Sequence, residues 1–369
     1  MHIEMKKNRI LFIMHTPPPV HGASMVGLSI KESHKINETF ECKYINPSAS
    51  QTVSEVGNIS FRKIIFLIRN LLSIIKCCIS FNPSLVYFTP TSDGWGIIRD
   101  AITIGCIKLT GKKIILHLHN KGCASFSKKH KWSIPFYKIM YTNNKLILLS
   151  HKLYPDLKAF VKEENIYYCP NGIKCQYNFP HLTHEGPIRF LYLSNIIKSK
   201  GPLVLLEACK ILKEEGKDFY CDYVGNWGDI TEDEFKSEIQ KRNLQNNIRY
   251  HGPQYGENKW KFMQQADMFV FPTYFSNECF PLVLLEAMQA SLPCISTNNG
   301  GIEDIIIEKE TGLIVKQKDA TSLYKALSWS IENREKLNEM GVKGHRHFLQ
   351  NFTYEIFIDR LCSILQENI

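Results

Sequence analysis

The stretch ECFPLVLLEAMQASLPCI, residues 278–295, leads from a loop through a helical segment into a candidate strand. The helical part is apolar on nearly every side, a pattern that predicts a buried helix. Glu286 is the only charged residue between Pro281 and Ile295, and within the helix only Gln289 is a polar neighbour. An unpaired buried carboxylate costs several kcal/mol, so Glu286 needs a partner.

The same alternation of helical segments and short apolar runs extends over the chain, which is typical of parallel sheets with crossover helices. The first half has strand candidates RILFIMH (9–15), SLVYFTP (84–90), KKIILHLH (112–119) and NKLILLS (144–150), with helices around 61–80, 96–109 and 133–141. The second half has PIRFLYLS (187–194), DFYCDYVG (218–225), NIRYHG (247–252), ADMFVFP (266–272) and LPCISTN (292–298). The predicted fold class is α/β, with two doubly wound, Rossmann-like parallel-sheet domains and a ligand in the cleft between them.

A chain of 369 residues is too long for one ordinary core, which favours two domains. The segment 171–187, NGIKCQYNFPHLTHEGP, has turn residues and no clear period, so we predict a linker there. We expect a first domain over 1–175 and a second over 186–351. A last amphipathic helix, about 352–369, is expected to pack back on the first domain.

Charge is distributed unevenly between the two halves. Residues 1–180 contain 24 Lys and Arg against 10 Asp and Glu, whereas residues 181–369 contain 21 against 26. A basic half favours anionic partners such as nucleic acid, phosphorylated lipid carriers or an acidic membrane surface. A soluble, Lys-rich surface explains the same composition, and on charge alone it is the favoured interpretation.

The segment IIFLIRNLLSIIKCCI, residues 64–79, is apolar over a helical length but contains Arg69 and Lys76. It is too short and too charged to span a membrane. Two interpretations remain: a core helix, or a helix lying on a membrane surface, which would give the protein peripheral contact with the inner membrane. The first fifteen residues lack the features of a signal peptide, so a cytoplasmic protein is expected.

The heptapeptide PLVLLEA occurs twice, at 202–208 and 281–287, and in both copies proline stands where the first helical residue is expected. Glu207 of the first copy is followed by Lys210, Lys213 and further charges, which predicts a solvated stripe. Glu207 therefore serves as an internal control for Glu286.

The loops before these two helices suggest an anion site. SNIIKSKG places Lys198 and Lys200 before the first helix, and SNECF places Glu278 before the second. Free backbone N–H groups at a helix start bind anions, and a lysine strengthens such a site. Because Glu278 and Glu286 can hold hydroxyls on either side of bound phosphates, the layout fits a sugar, a diphosphate and a ribose.

With these motifs, the chain resembles the retaining glycosyltransferase family 4 (group 1) enzymes, which have the GT-B fold. Their Glu-x7-Glu motif is matched by Glu278 and Glu286, and LPCISTNNGGIEDIIIEKETGLIV (292–315) resembles their strand and Gly-Gly turn. PNGI (170–173) resembles their interdomain signature, and PPPVHGAS (17–24) their N-terminal phosphate-side loop.

The resemblance implies retaining transfer of a sugar from a UDP- or GDP-sugar to an acceptor hydroxyl. It assigns Glu278 to the donor sugar, Glu286 to the ribose and Lys200 to the leaving diphosphate. His119 in HLHNKG is assigned to the donor sugar, and His117 is interpreted as an ordinary strand-end histidine. Further donor contacts are expected from Phe280, Pro281, Leu282, Val283 and the loop at Gly22.

Asn195 stands where the family commonly has arginine, which removes a bidentate phosphate clamp that Lys198 could replace. The base pocket is expected near HGPQYGENK, 251–259. Preorganised positive charge can stabilise a leaving diphosphate without a metal, so neither a metal nor a cofactor is expected. The expected acceptor is a glycan on a lipid carrier in bacterial surface polysaccharide synthesis. The basic segment SFSKKHKW (125–132) either attracts this anionic acceptor or is a solvated loop.

Other functions use parts of the same pattern. A glycoside hydrolase also needs two carboxylates, but the anion site and Lys200 have no purpose there. The basic half allows a non-catalytic nucleotide- or nucleic-acid-binding protein, yet its charge is dispersed and no RNA-binding aromatic motif occurs, so nucleic acid is not an expected partner. A phosphorylase or glucan synthase remains an alternative within the enzyme class.

Overall fold

The computed structural model describes residues 7–47, 61–175 and 185–369. The chain divides into two compact units, one formed by Met1–Asn171 with Glu355–Ile369 and the other by Gly172–Tyr354. Each unit has its own parallel sheet of six strands with helices in the connections. These two sheets confirm the predicted α/β fold class.

The first unit is doubly wound. Its elements are β1 (Arg9–Ile13), α1 (Gly22–Lys31), α2 (His34–Thr39), β2 (Glu41–Ile45), α3 (Phe61–Ser80), β3 (Leu85–Phe88), α4 (Gly96–Leu109), β4 (Lys113–His117), α5 (Cys123–Lys129), α6 (Ile134–Tyr141), β5 (Lys145–Leu148) and β6 (Ile166–Tyr168), joined at the end of the chain by α14 (Tyr354–Asn368). The strand order is β2-β1-β3-β4-β5-β6, so the winding reverses between β1 and β3. Ligands of such sheets bind at the carboxyl ends of the strands, next to that reversal.

The second unit repeats this plan. Its elements are β7 (Ile188–Leu193), α7 (Pro202–Glu214), β8 (Phe219–Val224), α8 (Glu232–Lys241), β9 (Ile248–Tyr250), α9 (Gly256–Gln265), β10 (Met268–Phe271), α10 (Leu282–Gln289), β11 (Cys294–Thr297), α11 (Ile302–Ile305), β12 (Gly312–Val315), α12 (Ala320–Glu332) and α13 (Arg334–Asn351). The order is β12-β11-β10-β7-β8-β9, and the reversal lies between β7 and β10.

The sequence located the central strands and the edge strand β9, but it missed the edge strands β2, β6 and β12. Central strands such as β3 and β10 are buried along their whole length and therefore appear as uninterrupted apolar runs. No residue of β2 or β6 is fully buried, so neither strand needs such a run. In the described ranges, no helix is long and apolar enough to cross a membrane.

Gly201 holds the loop after β7 against the loop after β10. It has a φ of +85°, and a Cβ at this position would lie 2.2 Å from the carbonyl oxygen of Pro272. The neighbouring loop therefore leaves no room for a side chain, and the left-handed backbone independently favours glycine.

We expect Gly201→Ala to destabilise the second unit by about 3 kcal/mol, since it adds a steric clash to the cost of a left-handed alanine. Gly216, at the end of α7, has a φ of +71° with no atom within 4 Å of an added Cβ. Gly216→Ala is the matched control and should cost about 1 kcal/mol. Urea unfolding measures both, and equal losses would contradict the packing argument.

Candidate active site

Lys200 and Glu278 are joined at the carboxyl ends of two neighbouring strands. β7 and β10 pair in parallel, so the loops that follow them leave the sheet side by side. The backbone N–H of Tyr274 donates to the carbonyl of Ser199 (2.8 Å) and fixes one loop to the other. Lys200 Nζ then donates to Glu278 Oε2 at 2.5 Å, although the two residues are 78 positions apart.

This ion pair is largely removed from water. The side chain of Glu278 is 10% exposed and that of Lys200 is 19% exposed. The ammonium group also lies 5.4 Å from the ring centre of Phe271 and 4.7 Å from that of Phe275, within the range of cation–π attraction. Removing either charge from such a pair leaves the other buried and uncompensated, so each holds its partner in place.

The Gly-Gly turn after β11 supports the loop that carries Glu278. The N–H of Gly301 donates to the carbonyl of Cys279 at 2.6 Å. Gly300 has a φ of +60°, and a Cβ there would lie 2.3 Å from the carbonyl oxygen of Glu278. The two glycines therefore let a second loop approach the backbone of Glu278 closely enough to fix it.

The first turn of α10, which follows the loop of Glu278, has backbone N–H groups that are available to a ligand. Pro281 is the N-cap of α10 and has no side-chain hydrogen bond, and the first turn contains no acidic residue. Within the described residues, the backbone N–H groups of Leu282 and Val283 donate to no acceptor. The Phe280 side chain packs on Phe352, with ring centres 5.7 Å apart, so its backbone is the part available to a ligand.

The position of Pro281 corrects one prediction. The sequence placed proline at the first helical residue of both PLVLLEA copies, which is right for Pro202 but not for Pro281, which precedes the first helical residue Leu282. Pro281 has extended backbone, with ψ at 116°, and so turns the chain from the loop into the helix.

Glu286 has a partner that the sequence did not reveal. Lys259 Nζ of α9 donates to Glu286 Oε1 at 2.6 Å, and each side chain is about one-fifth exposed. α10 is buried at Leu284, Leu285, Ala287, Met288 and Gln289, as the sequence predicted, and Glu286 has the partner that a carboxylate on such a helix needs. Lys259 was missed because it lies 27 residues upstream, although it belongs to the segment assigned to the base pocket.

Glu207, in the first PLVLLEA segment, has different surroundings from Glu286 in the second. Glu207 accepts a hydrogen bond from Arg242 Nε at 2.8 Å and lies 3.6 Å from Lys210 Nζ. Its side chain is more exposed than that of Glu286, as the predicted solvated stripe requires. Arg242 is also held by Glu238, so Glu207 is one member of a surface charge network.

Asn195 and Lys198 lie on the turn that carries Lys200, and both are exposed. The carbonyl of Asn195 accepts from the N–H of Ile197 at 2.8 Å. The N–H of Lys198 donates to Asp229 Oδ1 at 2.7 Å. The backbone of the turn is thus fixed, while its polar side chains point outward from the carboxyl end of β7.

Gly22 and His119 belong to the first unit. Gly22 is the first residue of α1, where His21 Nδ1 accepts the N–H of Ser24 at 3.2 Å as a cap. Open space surrounds Gly22, whereas a Cβ on Gly27 would lie 2.0 Å from the carbonyl oxygen of His15. The structure therefore leaves no room for a side chain at Gly27, whereas a side chain would fit at Gly22.

His117 and His119 differ in their hydrogen bonds. Their ring centres are 4.2 Å apart, and His117 Nδ1 is bonded to the Tyr87 hydroxyl at 2.6 Å. His119 Nδ1 is buried and has no partner within the described residues. Burial, together with a smaller effect of His15 and His21, lowers the pKa of His119 to about 3. The ring is therefore neutral and can exchange hydrogen bonds with a neutral polar ligand.

Part of the chain is similar in sequence to a known protein family. Residues 176–347 match the family model described as "Glycosyl transferases group 1". The amylovoran biosynthesis glycosyltransferase AmsK of Erwinia amylovora is 30% identical over 141 residues, 37% of this chain and 34% of AmsK. The O-antigen chain mannosyltransferase C of Escherichia coli is 30% identical over 171 residues, 46% of this chain and 44% of that protein. The chain therefore spans less than half the length of each of these two relatives.

Solved structures share the fold over the whole chain. A glycosyltransferase from Rickettsia africae has a TM-score of 0.76 at 20% identity and covers 99% of both chains. Anabaena Alr3699/HepE in complex with UDP has a TM-score of 0.72 at 14% identity and covers 98% of this chain and all of its own. The fold is thus that of the GT-B glycosyltransferases. The matched segment holds Lys200, Glu278 and Glu286, so the chain is similar to the glycosyl transferases group 1 family over the part that contains the candidate site.

Proposed function

We propose that the protein transfers a sugar, with retention of anomeric configuration, from a UDP- or GDP-sugar to an acceptor hydroxyl. The observation that carries this proposal is the Lys200–Glu278 ion pair beside the free N–H groups that open α10. A cation and aimed backbone donors suit a diphosphate, and a carboxylate at the same place suits the hydroxyls of a sugar attached to it.

The leaving diphosphate is assigned to Lys200 and the backbone of residues 280–283. Charge develops on the diphosphate as the glycosidic bond breaks, and fixed donors stabilise that charge without reorganising. Glu278 and the two aromatic rings already hold the ammonium group in position. This arrangement supplies the positive charge for which other enzymes use a metal, so we propose metal-independent transfer and no cofactor.

Glu278 and Glu286 are assigned to hydroxyls on either side of the diphosphate. Each carboxylate has two oxygens and about four acceptor sites, and one lysine engages only part of them. Glu278 is assigned to the transferred sugar and Glu286 to the ribose, with Lys259 positioning Glu286. Asn195 and Lys198 are assigned to the outer side of the diphosphate because they are exposed on the turn of Lys200.

In the first unit, His119 is assigned to the transferred sugar and Gly22 to the diphosphate. The unpaired, buried Nδ1 of His119 supports this role, since a hydroxyl could satisfy it. For the acceptor we propose a glycan on a lipid carrier. Relatives named for amylovoran biosynthesis and as an O-antigen chain mannosyltransferase support this class of acceptor.

Glu278→Gln should lower kcat by roughly 100-fold, because it removes a charged acceptor and the partner that positions Lys200. The free energy of unfolding should fall by about 3 kcal/mol, because the ammonium group of Lys200 loses its charged partner. Glu207→Gln is the matched control and should keep kcat within about twofold, because it alters only a partly exposed pair. Steady-state transfer kinetics and urea unfolding measure the two effects, and similar small losses of kcat at both positions would refute the site.

A screen of UDP, GDP and their sugar conjugates by thermal shift should identify the donor. A ligand at about 100 times its Kd stabilises the folded state by about 2.7 kcal/mol. The donor found should then support transfer at an unchanged rate in excess EDTA, with a product whose anomeric configuration, read by NMR, matches the donor. A requirement for added metal would refute metal independence, and inversion would refute retention.

Protonation of His119 should weaken the first unit at low pH. Its folded pKa of about 3 lies below the ordinary value of 6.5, so the unfolded chain binds more protons between these values and stability falls as the pH is lowered through this range. Between pH 7 and 5 the contribution is about 2 kcal/mol. Urea unfolding measures the free energy of unfolding at both pH values, and for His119→Gln it should fall less between pH 7 and 5 than for the natural chain. For His34→Gln, at an exposed position, it should fall as much as for the natural chain. An equal fall in all three proteins would contradict the burial of His119.

A further inference from the structure

Large apolar side chains are exposed mainly on one helical layer of the first unit. Among the described residues, Gly172–Tyr354 expose only four, whereas α3, α4 and the start and body of α6 expose ten. α3 packs beside α4, and α4 packs beside α6. Nine of these ten residues, all except Phe66, form together with Arg69 and Lys76 what we call the basic apolar face: Ile65, Ile68, Arg69, Leu72, Lys76 and Ile79 of α3, Trp95, Ile102 and Leu109 at α4, and Trp132 and Ile139 at α6.

On α3, apolar and basic side chains alternate along one line. Ile65, Arg69, Leu72, Lys76 and Ile79 follow each other at intervals of four and three residues, which places them on a single helix face. All five are exposed. The line covers 14 residue steps, about 21 Å of helix. On the opposite side of the helix Ile74 and Cys78 are buried, so α3 is anchored to the first unit by that side.

α4 extends the surface. Trp95, Ile102 and Leu109 are each seven residues apart, close to two helical turns, and all three are exposed. The Trp95 ring stacks on that of Trp132, with centres 5.2 Å apart and planes at 22°. Two exposed indoles therefore lie at the end of the layer where α4 and α6 begin.

The charge of this region has one sign. Residues 61–144 contain thirteen Lys and Arg and two Asp, Asp93 and Asp100. Asp100 is fully buried and accepts from Arg99 Nε at 2.7 Å, so its charge is not presented to a partner. α3 contains no acidic residue at all.

We propose that the basic apolar face docks on an anionic lipid bilayer. Apolar side chains can enter the boundary between headgroups and acyl chains while interleaved cations contact lipid phosphates, and indoles favour that boundary. Protein interfaces exclude lysine from their core, whereas Lys76 lies between Leu72 and Ile79. A second copy of the same face would bring like charges together. A bilayer with anionic headgroups is the partner that satisfies both the apolar and the basic residues.

This inference is independent of the proposed transfer, because vesicle binding requires neither donor nor acceptor. The test is co-sedimentation of the full chain with vesicles of phosphatidylcholine containing phosphatidylglycerol, and with pure phosphatidylcholine. We expect at least tenfold stronger binding to the anionic vesicles. Leu72→Glu with Ile79→Glu should reduce that binding at least tenfold, and Arg69→Gln with Lys76→Gln should reduce it to a similar degree.

The matched control is Val342→Glu with Leu349→Glu, a pair on α13 that is also seven residues apart. The side chains are 61% and 69% exposed at Leu72 and Ile79, and 56% and 45% exposed at Val342 and Leu349. The control should bind vesicles like the natural chain, and circular dichroism should be unchanged in every variant. The proposal would be overturned if the chain bound neutral vesicles as strongly as anionic ones, or if the Leu72/Ile79 variant bound anionic vesicles like the natural chain. It would also be overturned if the chain bound no vesicles and light scattering showed a dimer that this variant dissociates.

Discussion

The ion pair between Lys200 and Glu278 is the interaction on which the site depends. It holds two buried charges within 2.5 Å in a setting of aromatic rings, so neither side chain can move freely. Its existence requires that β7 and β10 are neighbours in the sheet, although two further strands separate them in the chain. The doubly wound order, with its reversal between these strands, is therefore what creates the site.

Glycines around the pair make the geometry possible. Gly201 and Gly300 both have positive φ, and a Cβ at either position would lie within 2.3 Å of a carbonyl oxygen of another loop. A side chain at either position would push apart the loops that carry Lys200 and Glu278. The close packing of backbone against backbone therefore permits only one arrangement of these loops, as side-chain packing does in a protein core.

The first unit uses its helices and strands for different surfaces. At the carboxyl ends of β1 and β4, burial lowers the pKa of His15, His117 and His119, and two ring nitrogens, His117 Nε2 and His119 Nδ1, have no partner within the described residues. On α3, an inner side completes the core and an outer side carries alternating apolar and basic residues. The two sequence interpretations of this helix, core element and membrane-surface element, thus describe its two sides. The inner one is observed and the outer one is our proposal.

The sequence by itself determined the fold class, most central strands and the candidate carboxylates. Buried parallel strands must be apolar throughout, and the repeated PLVLLEA segment isolates Glu286 as a charge in apolar surroundings. It did not reveal the edge strands β2 and β6, whose half-exposed residues need no apolar run, or the short edge strand β12. It also did not reveal the partner of Glu286, since Lys259 lies on another helix. It also could not identify Glu278 as the more buried carboxylate, because loop residues carry no periodicity from which burial can be predicted. Only the tertiary structure decided these points, because pairing and burial depend on which strands are neighbours, and that order is not a local property of the chain.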